Sequence, residues 1–215
     1  MGAKEPYEFR DPNELVNSLN NEKLSLGKWF AKRKFKIDEI IYDSVSSNTF
    51  RAFIHLIRKP SEVFRDWALW KLNDKDLLNR LFGRNSVLDF DNWHKEFCLD
   101  FSKYWGNVMK SPIAYGPSRK LPNLLLKEFS LWGFIKESHR AELIEYLHIL
   151  LDKYTLVGIR NCVKYFQGPE TIGKIPKNAS MNFVKNEKTY DAIQKIYRAI
   201  GKKVGIPTIY IDILI

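Results

Sequence analysis

DFDNWHKEFCLDFSKYWGNVM, residues 89–109, sets Trp93, Phe97, Phe101, Tyr104 and Trp105 three, four or one residue apart. At 3.6 residues per turn this spacing gathers the aromatic rings on one helical face, so one long helix is expected from Asp89 to Met109. Gly106 weakens only its last turn. The same period continues on both sides. Pro60-Ser61-Glu62 opens a helix carrying Val63, Trp67 and Trp70, and Asn73-Asp74 divides it from a short helix ending near Phe82, with Gly83 as its stop. Further helices are expected near 12–20, 38–58, 117–130, 138–150, 153–165 and 187–203. Gly168-Pro169, Gly173 and Pro176 mark a loop, and the β-branched run from Thr208 to Ile215 predicts a short strand or an extended buried tail. The expected fold class is all-α, a single helical unit over 1–215 made of two subdomains around a basic cleft.

The chain has 215 residues, 45% hydrophobic and 28% charged, a balance that excludes disordered and fibrous classes. Thirty-five Lys and Arg against 25 Asp and Glu give a net charge of +10. That excess favours polyanionic partners, nucleic acid or an anionic surface. It is uneven: residues 153–203 hold eleven Lys and Arg against Glu170, Glu187 and Asp191, which is eight of the ten net charges. Phe101 to Lys127 is free of acids, and Lys28-Trp29-Phe30-Ala31-Lys32-Arg33-Lys34-Phe35-Lys36 interleaves cations with aromatics, suited either to a phosphate backbone or to a snorkelling surface segment. No apolar run approaches the roughly 20 residues of a membrane span, and Met1 to Asn21 shows neither secretory nor transit character. An intracellular protein without a membrane partner is expected. Cys98 and Cys162 are the only cysteines, which rules out four-cysteine zinc or iron-sulfur sites, and His55, His94, His139 and His148 fall at no metal-binding spacing.

The segment Ile113-Ala114-Tyr115-Gly116-Pro117-Ser118-Arg119-Lys120-Leu121-Pro122-Asn123 follows the aromatic helix. A helix ending near Met109, turns at Pro112 and Gly116-Pro117, and a new helix with Lys120 in its first turns make a helix-hairpin-helix over 109–130. Such a motif offers backbone N–H groups at a helix N-terminus to a phosphate. The pattern alone equally fits any two helices joined by a Gly-Pro turn. Further on, Leu150-Leu151-Asp152-Lys153 puts an Asp at the start of a helix, where it is at least an N-cap. Thirty-two residues separate Lys120 from Asp152, room for the rest of one helix, a turn at Gly133 and another helix.

Hairpin, lysine on its second helix and a helix-starting aspartate together resemble the helix-hairpin-helix DNA glycosylase superfamily, and the wide lysine-to-aspartate separation resembles its archaeal 8-oxoguanine glycosylase branch. The resemblance covers about residues 90–165. It implies Lys120 as nucleophile on the sugar C1′ and Asp152 as the assisting carboxylate, with double-stranded DNA as partner, no metal or diffusible cofactor, and a monomer. Gly116, Ser118, Arg119 and Lys127 are the candidates for contact with the DNA backbone. The chain departs from the usual hairpin in having Gly116 where two glycines are common, and Pro122 fits only in a helix's first turn.

A glycosylase must also hold a base extruded from the stack. Trp93, Trp105 and Asn123 are the candidate pocket residues, although aromatics at helical spacing are more often core and Asn123 more often faces water. The expected function is a DNA repair glycosylase with β-lyase activity, acting on oxidised guanine. Its alternatives are a non-catalytic helix-hairpin-helix DNA-binding protein, in which Lys120 only contacts phosphate, and a helical module whose basic surface meets acidic protein or anionic lipid.

Overall fold

Apolar spacing is converted into helix along most of the chain. The structure, a computed structural model, describes residues 5–46, 49–50, 53, 58–82, 86–166 and 169–214. Among the described residues are eleven α-helices: α1 (Pro12–Phe30), α2 (Ile37–Ser44), α3 (Pro60–Leu72), α4 (Lys75–Phe82), α5 (Val87–Met109), α6 (Tyr115–Phe129), α7 (Glu137–Tyr146), α8 (Lys153–Gly158), α9 (Pro169–Ile172), α10 (Glu187–Val204) and α11 (Ile211–Leu214). No strand occurs among them, and one isolated parallel bridge joins Lys34 to Trp132. The all-α expectation holds. The chain divides into two compact units, one of Met1–Ala31, Ala114–Lys120 and Leu147–Ile215, the other of Lys32–Ile113 and Leu121–Tyr146.

The second unit is organised by the long aromatic helix. Ser86 caps α5 by accepting from the Asp89 N–H at 3.2 Å and donating to the Asp89 carboxylate at 2.8 Å. Phe90, Trp93, Phe97, Phe101 and Trp105 are all buried. Trp67 of α3 packs against Phe97 and Phe101 with centroids 5.0 and 4.7 Å away. Its indole N–H donates to Asp100 at 2.9 Å, an oxygen shared with the Lys71 ammonium, so the polar edge of a buried ring is satisfied. Leu121, Leu125, Leu126 and Phe129 of α6 complete this core. The helix expected over 38–58 stops at Ser44. Its continuation through 47–48, 51–52 and 54–57, with His55, lies outside the described residues, as does the stop assigned to Gly83.

The first unit is built on α1 and α10. Asp11 caps α1 by accepting from Asn13 and Glu14, and Pro12 opens it. That helix continues to Phe30, ten residues past the expected end, and Phe30 stacks on Tyr210 at 4.7 Å. Tyr190, Ile193, Tyr197, Ile200 and Val204 form the buried face of α10. Gly205 ends it at φ 70°, the left-handed conformation that glycine adopts without penalty. The tail does not form a strand: Thr208–Tyr210 is a 3-10 turn leading into α11. Its β-branched residues favour strand only where another strand is available to pair with, and no strand lies among the described residues.

Candidate active site at Lys120 and Asp152

The start of α6 decides the geometry of the site. The helix begins at Tyr115, five residues ahead of Lys120, so Gly116-Pro117 is its first turn rather than the turn before it. Pro117 is third in the helix, where its missing N–H costs no helical bond, and the Ser118 N–H already reaches the Ala114 carbonyl at 3.0 Å. The link between α5 and α6 is therefore 110–114, entered through Lys110 in the left-handed region at φ 54°. Pro122 falls in the helix interior, not in its first turn as required, and leaves the Ser118 carbonyl without its helical N–H donor.

Gly116 and Ser118, expected to face DNA phosphates, are buried. A Cβ at position 116 would collide with the Met181 carbonyl oxygen, so the glycine is required for close approach to the 3-10 turn Met181–Phe183. The Ser118 hydroxyl donates to the Tyr115 carbonyl at 2.7 Å. Arg119 is half-buried, its guanidinium 4.8 Å from the Tyr115 ring centre. Lys127 lies half-buried in the last turn of α6, in the other unit.

Lys120 and Asp152 meet. The Lys120 ammonium donates to Asp152 Oδ2 at 3.1 Å, with 16% and 25% of the two side chains exposed, so the pair is largely but not wholly shielded from water. The other oxygen, Oδ1, accepts from the N–H groups of Tyr154 at 2.9 Å and Thr155 at 3.3 Å. The Asp152 N–H returns a bond to the Thr155 hydroxyl at 2.9 Å, completing a capping box. One carboxylate thus caps α8 and pairs with the lysine, and the cap fixes which oxygen faces the amine.

Three residues of α10 hold this loop, and sequence reasoning missed them. Gln194 exchanges two hydrogen bonds with the backbone of Ile149, at 3.1 and 2.9 Å. The Tyr197 hydroxyl donates to the Thr155 carbonyl at 2.6 Å. Tyr190 shares a 2.8 Å hydrogen bond with Nδ1 of buried His148, and its ring lies 6.3 Å from that of Tyr115. Burial pushes the Tyr115 hydroxyl pKa up, a rise that Arg119 opposes and the carboxylates of Glu187 and Asp191 reinforce. The available signal was the spacing 190, 194, 197, one helical face directly behind the aspartate. In the same unit an open cavity of about 700 Å³ is lined by Phe166, Lys188, Asp191 and Lys195.

The residues expected to line a base pocket are buried. Trp93 and Trp105, 4% and 1% exposed, are core residues of the second unit, Trp93 stacked on Phe97 at 5.0 Å and Trp105 packed against Phe53 and Phe101 at 5.1 and 5.9 Å. Asn123 is buried too, against the expectation that it faces water, and its Oδ1 lies 2.5 Å from His94 Nε2. Both cysteines are buried thiols outside any disulfide, and no group of three or more metal-binding side chains occurs among the described residues. No described helix is long and apolar enough to cross a membrane. Compared with protein-family models, curated proteins and solved structures, the chain matches none.

Proposed function

We propose that this chain is a DNA repair glycosylase with β-lyase activity, in which Lys120 attacks the sugar and Asp152 assists. The observation that carries the reading is the 3.1 Å contact between an amine and a carboxylate 32 residues apart, held at a fixed angle by the α8 cap. Oxidised guanine in duplex DNA is the substrate that the resemblance to the archaeal 8-oxoguanine branch suggests.

In the proposed reaction Asp152 Oδ2 takes a proton from the Lys120 ammonium, freeing the nitrogen lone pair. That lone pair forms a bond to C1′ while the C1′–N bond to the base breaks, its electron pair leaving with the base, which takes up the proton held on Asp152. As Asp152 hands that proton to the departing base it is again a carboxylate, and it lies beside the positive charge developing on the sugar. The attached nitrogen then gives one proton, by way of Asp152, to O4′ as the C1′–O4′ bond breaks, and this ring opening yields a protonated Schiff base between Lys120 and C1′. Loss of a C2′ proton then expels the 3′ phosphate, and hydrolysis releases the lysine.

Borohydride reduction of the Schiff base gives a covalent protein–DNA adduct. A panel of duplexes, each with one lesion, incubated with protein and borohydride is expected to yield an adduct with oxidised guanine, abolished by Lys120→Ala. Duplex binding with no adduct from any lesion would refute the catalytic reading and leave a non-catalytic DNA-binding protein. The burial of Gly116 and Ser118 removes the hairpin contacts expected of either reading, so the two are separated by the adduct and not by the hairpin.

A further inference from the structure

The stretch Lys32-Arg33-Lys34-Phe35-Lys36 has no part in the Lys120 chemistry. Within its own unit it is fastened to the loop after α6 by two backbone hydrogen bonds, Lys34 N–H to the Leu131 carbonyl at 2.8 Å and Gly133 N–H to the Lys34 carbonyl at 2.6 Å. That loop is fixed in turn by Arg140, 2% exposed, which donates to the carbonyls of Ser130, Trp132 and Ile135. The Lys34 ammonium is turned inward to Asp43 at 2.7 Å and Glu128 at 2.5 Å. What this rigid mount presents to solvent is a pair of phenyl rings. Phe35 is 61% and Phe134 69% exposed, their centroids 5.8 Å apart. Phe35 rests on Gly133, where a Cβ would strike its ring.

Beside Phe134 opens a cavity of about 450 Å³ lined by Phe82, Trp132, Phe134, Lys136 and His139. Phe82 and His139 stack on each other there at 4.9 Å and 13°, while Phe134 stands edge-on to Phe35 at 85° and to Trp132 at 76°, so the two exposed rings offer faces in different directions. Lys32, Lys36 and Lys136, neighbours of the two rings in sequence, are exposed, with Lys136 also lining the cavity, Lys36 3.9 Å from Glu39 and Arg33 paired to Glu137 at 2.9 Å. Two exposed aromatics side by side and continuous with a partly apolar cavity make the kind of contiguous apolar patch that marks a binding surface. Two rings are too little apolar area to enter a bilayer, which requires a broad amphipathic face. Ring faces within a cationic rim complement bases and phosphates of a nucleic-acid strand.

We infer that this face is a stacking platform for unpaired nucleobases of single-stranded nucleic acid, with Phe35 and Phe134 against the bases and Lys32, Lys36 and Lys136 near the phosphates. It stands apart from the Lys120 chemistry, and the two are read by different assays.

The test is fluorescence anisotropy of a labelled, unmodified oligo-deoxythymidylate with the full-length protein, beside flotation with phosphatidylserine–phosphatidylcholine vesicles. Phe134→Ala is expected to weaken oligonucleotide binding about tenfold. Phe134→Leu, which keeps apolar area without a π face, should weaken it similarly, whereas Phe134→Trp should restore it. Lys36→Ala and Lys136→Ala should each lower the slope of log affinity against log salt by about 0.7. An exposed side chain makes these variants expected to fold, which circular dichroism melting checks. Oligonucleotide affinity unchanged in Phe134→Ala overturns the inference. So does full affinity in Phe134→Leu, or vesicle binding that alone responds to the substitutions.

Discussion

Replacing Asp152 by Asn separates the two duties of that carboxylate. Oδ1 caps α8 through Tyr154 and Thr155, and Oδ2 accepts from Lys120. An asparagine that keeps its carbonyl oxygen at the cap turns its NH2 toward the ammonium, so the cap survives and the ion pair becomes a clash of donors. Loss of the cap in Asp152→Ala costs about 1 kcal/mol, which asparagine largely avoids. The ion pair, with side chains 16% and 25% exposed, lies between a surface pair worth about 0–1 kcal/mol and a buried pair whose breaking costs about 3–5 kcal/mol, so about 1–2 kcal/mol is assigned to it. Asp152→Asn should therefore cost about 1–2 kcal/mol and Asp152→Ala about 2–3 kcal/mol, or about 2–4 °C in Tm per kcal/mol for a chain of this size. Urea denaturation of Asp152→Asn, Lys120→Met and the double variant closes a cycle whose coupling should be about 1 kcal/mol. Borohydride trapping should vanish in Asp152→Asn while its circular dichroism stays unchanged. Equal destabilisation by Asn and Ala, or a coupling below about 0.5 kcal/mol, would refute the division of labour.

Gly116→Ala gains helix propensity of about 1 kcal/mol but drives a methyl into the Met181 carbonyl; a net loss of about 1–3 kcal/mol is expected by thermal denaturation, and an unchanged Tm would contradict the close approach. The Cys162 thiol is buried and its pKa is pushed up to about 12, chiefly by that burial, so it should resist iodoacetamide at pH 8 in the native protein and react after unfolding, as mass spectrometry would show. Glu14 accepts from the Arg10 N–H at 2.7 Å, from the Arg10 guanidinium and from the Tyr7 hydroxyl, contacts that lower its pKa to about 2. A depressed carboxylate stabilises the fold above its unfolded pKa of about 4.3 and loses that contribution as the pH falls toward the folded value. Glu14→Gln should accordingly flatten the decline in stability between about pH 5 and 2, and an unaltered acid limb in urea titrations would rule the contact out as its source.

Glu128 and Lys34 make a harder case for acid and base titration. Burial pushes the Glu128 carboxyl up, and the lysine beside it offsets this only in part. Lys34, between two carboxylates, has its own pKa raised despite burial. Its contribution is present below the usual lysine range and lost only as the pH climbs through the raised value, so a Lys34→Met variant should be destabilised at pH 7 and approach the parent at strongly alkaline pH.

The helices were legible along the chain because amphipathic period is a local property. Trp93, Phe97, Phe101 and Trp105 announce their shared face whatever they pack against, and Asp152 announces a helix start through bonds to N–H groups two and three residues away. Long-range facts were not written that way. Whether Gly116-Pro117 is a turn or a first helical turn depended on the Met181 backbone that only a Cβ-free residue can approach, 65 residues on. The tail from Thr208 coils rather than extends because β-branched residues need a partner strand, which the packed helices do not supply. Trp93, Trp105 and Asn123 had side chains suited to a base pocket, and burial against their own unit took them from it. Lysine and aspartate were suggested by kind and spacing. Their 3.1 Å contact depends on the capped loop that Gln194 and Tyr197 hold from another helix, a relation between distant residues that no local pattern encodes.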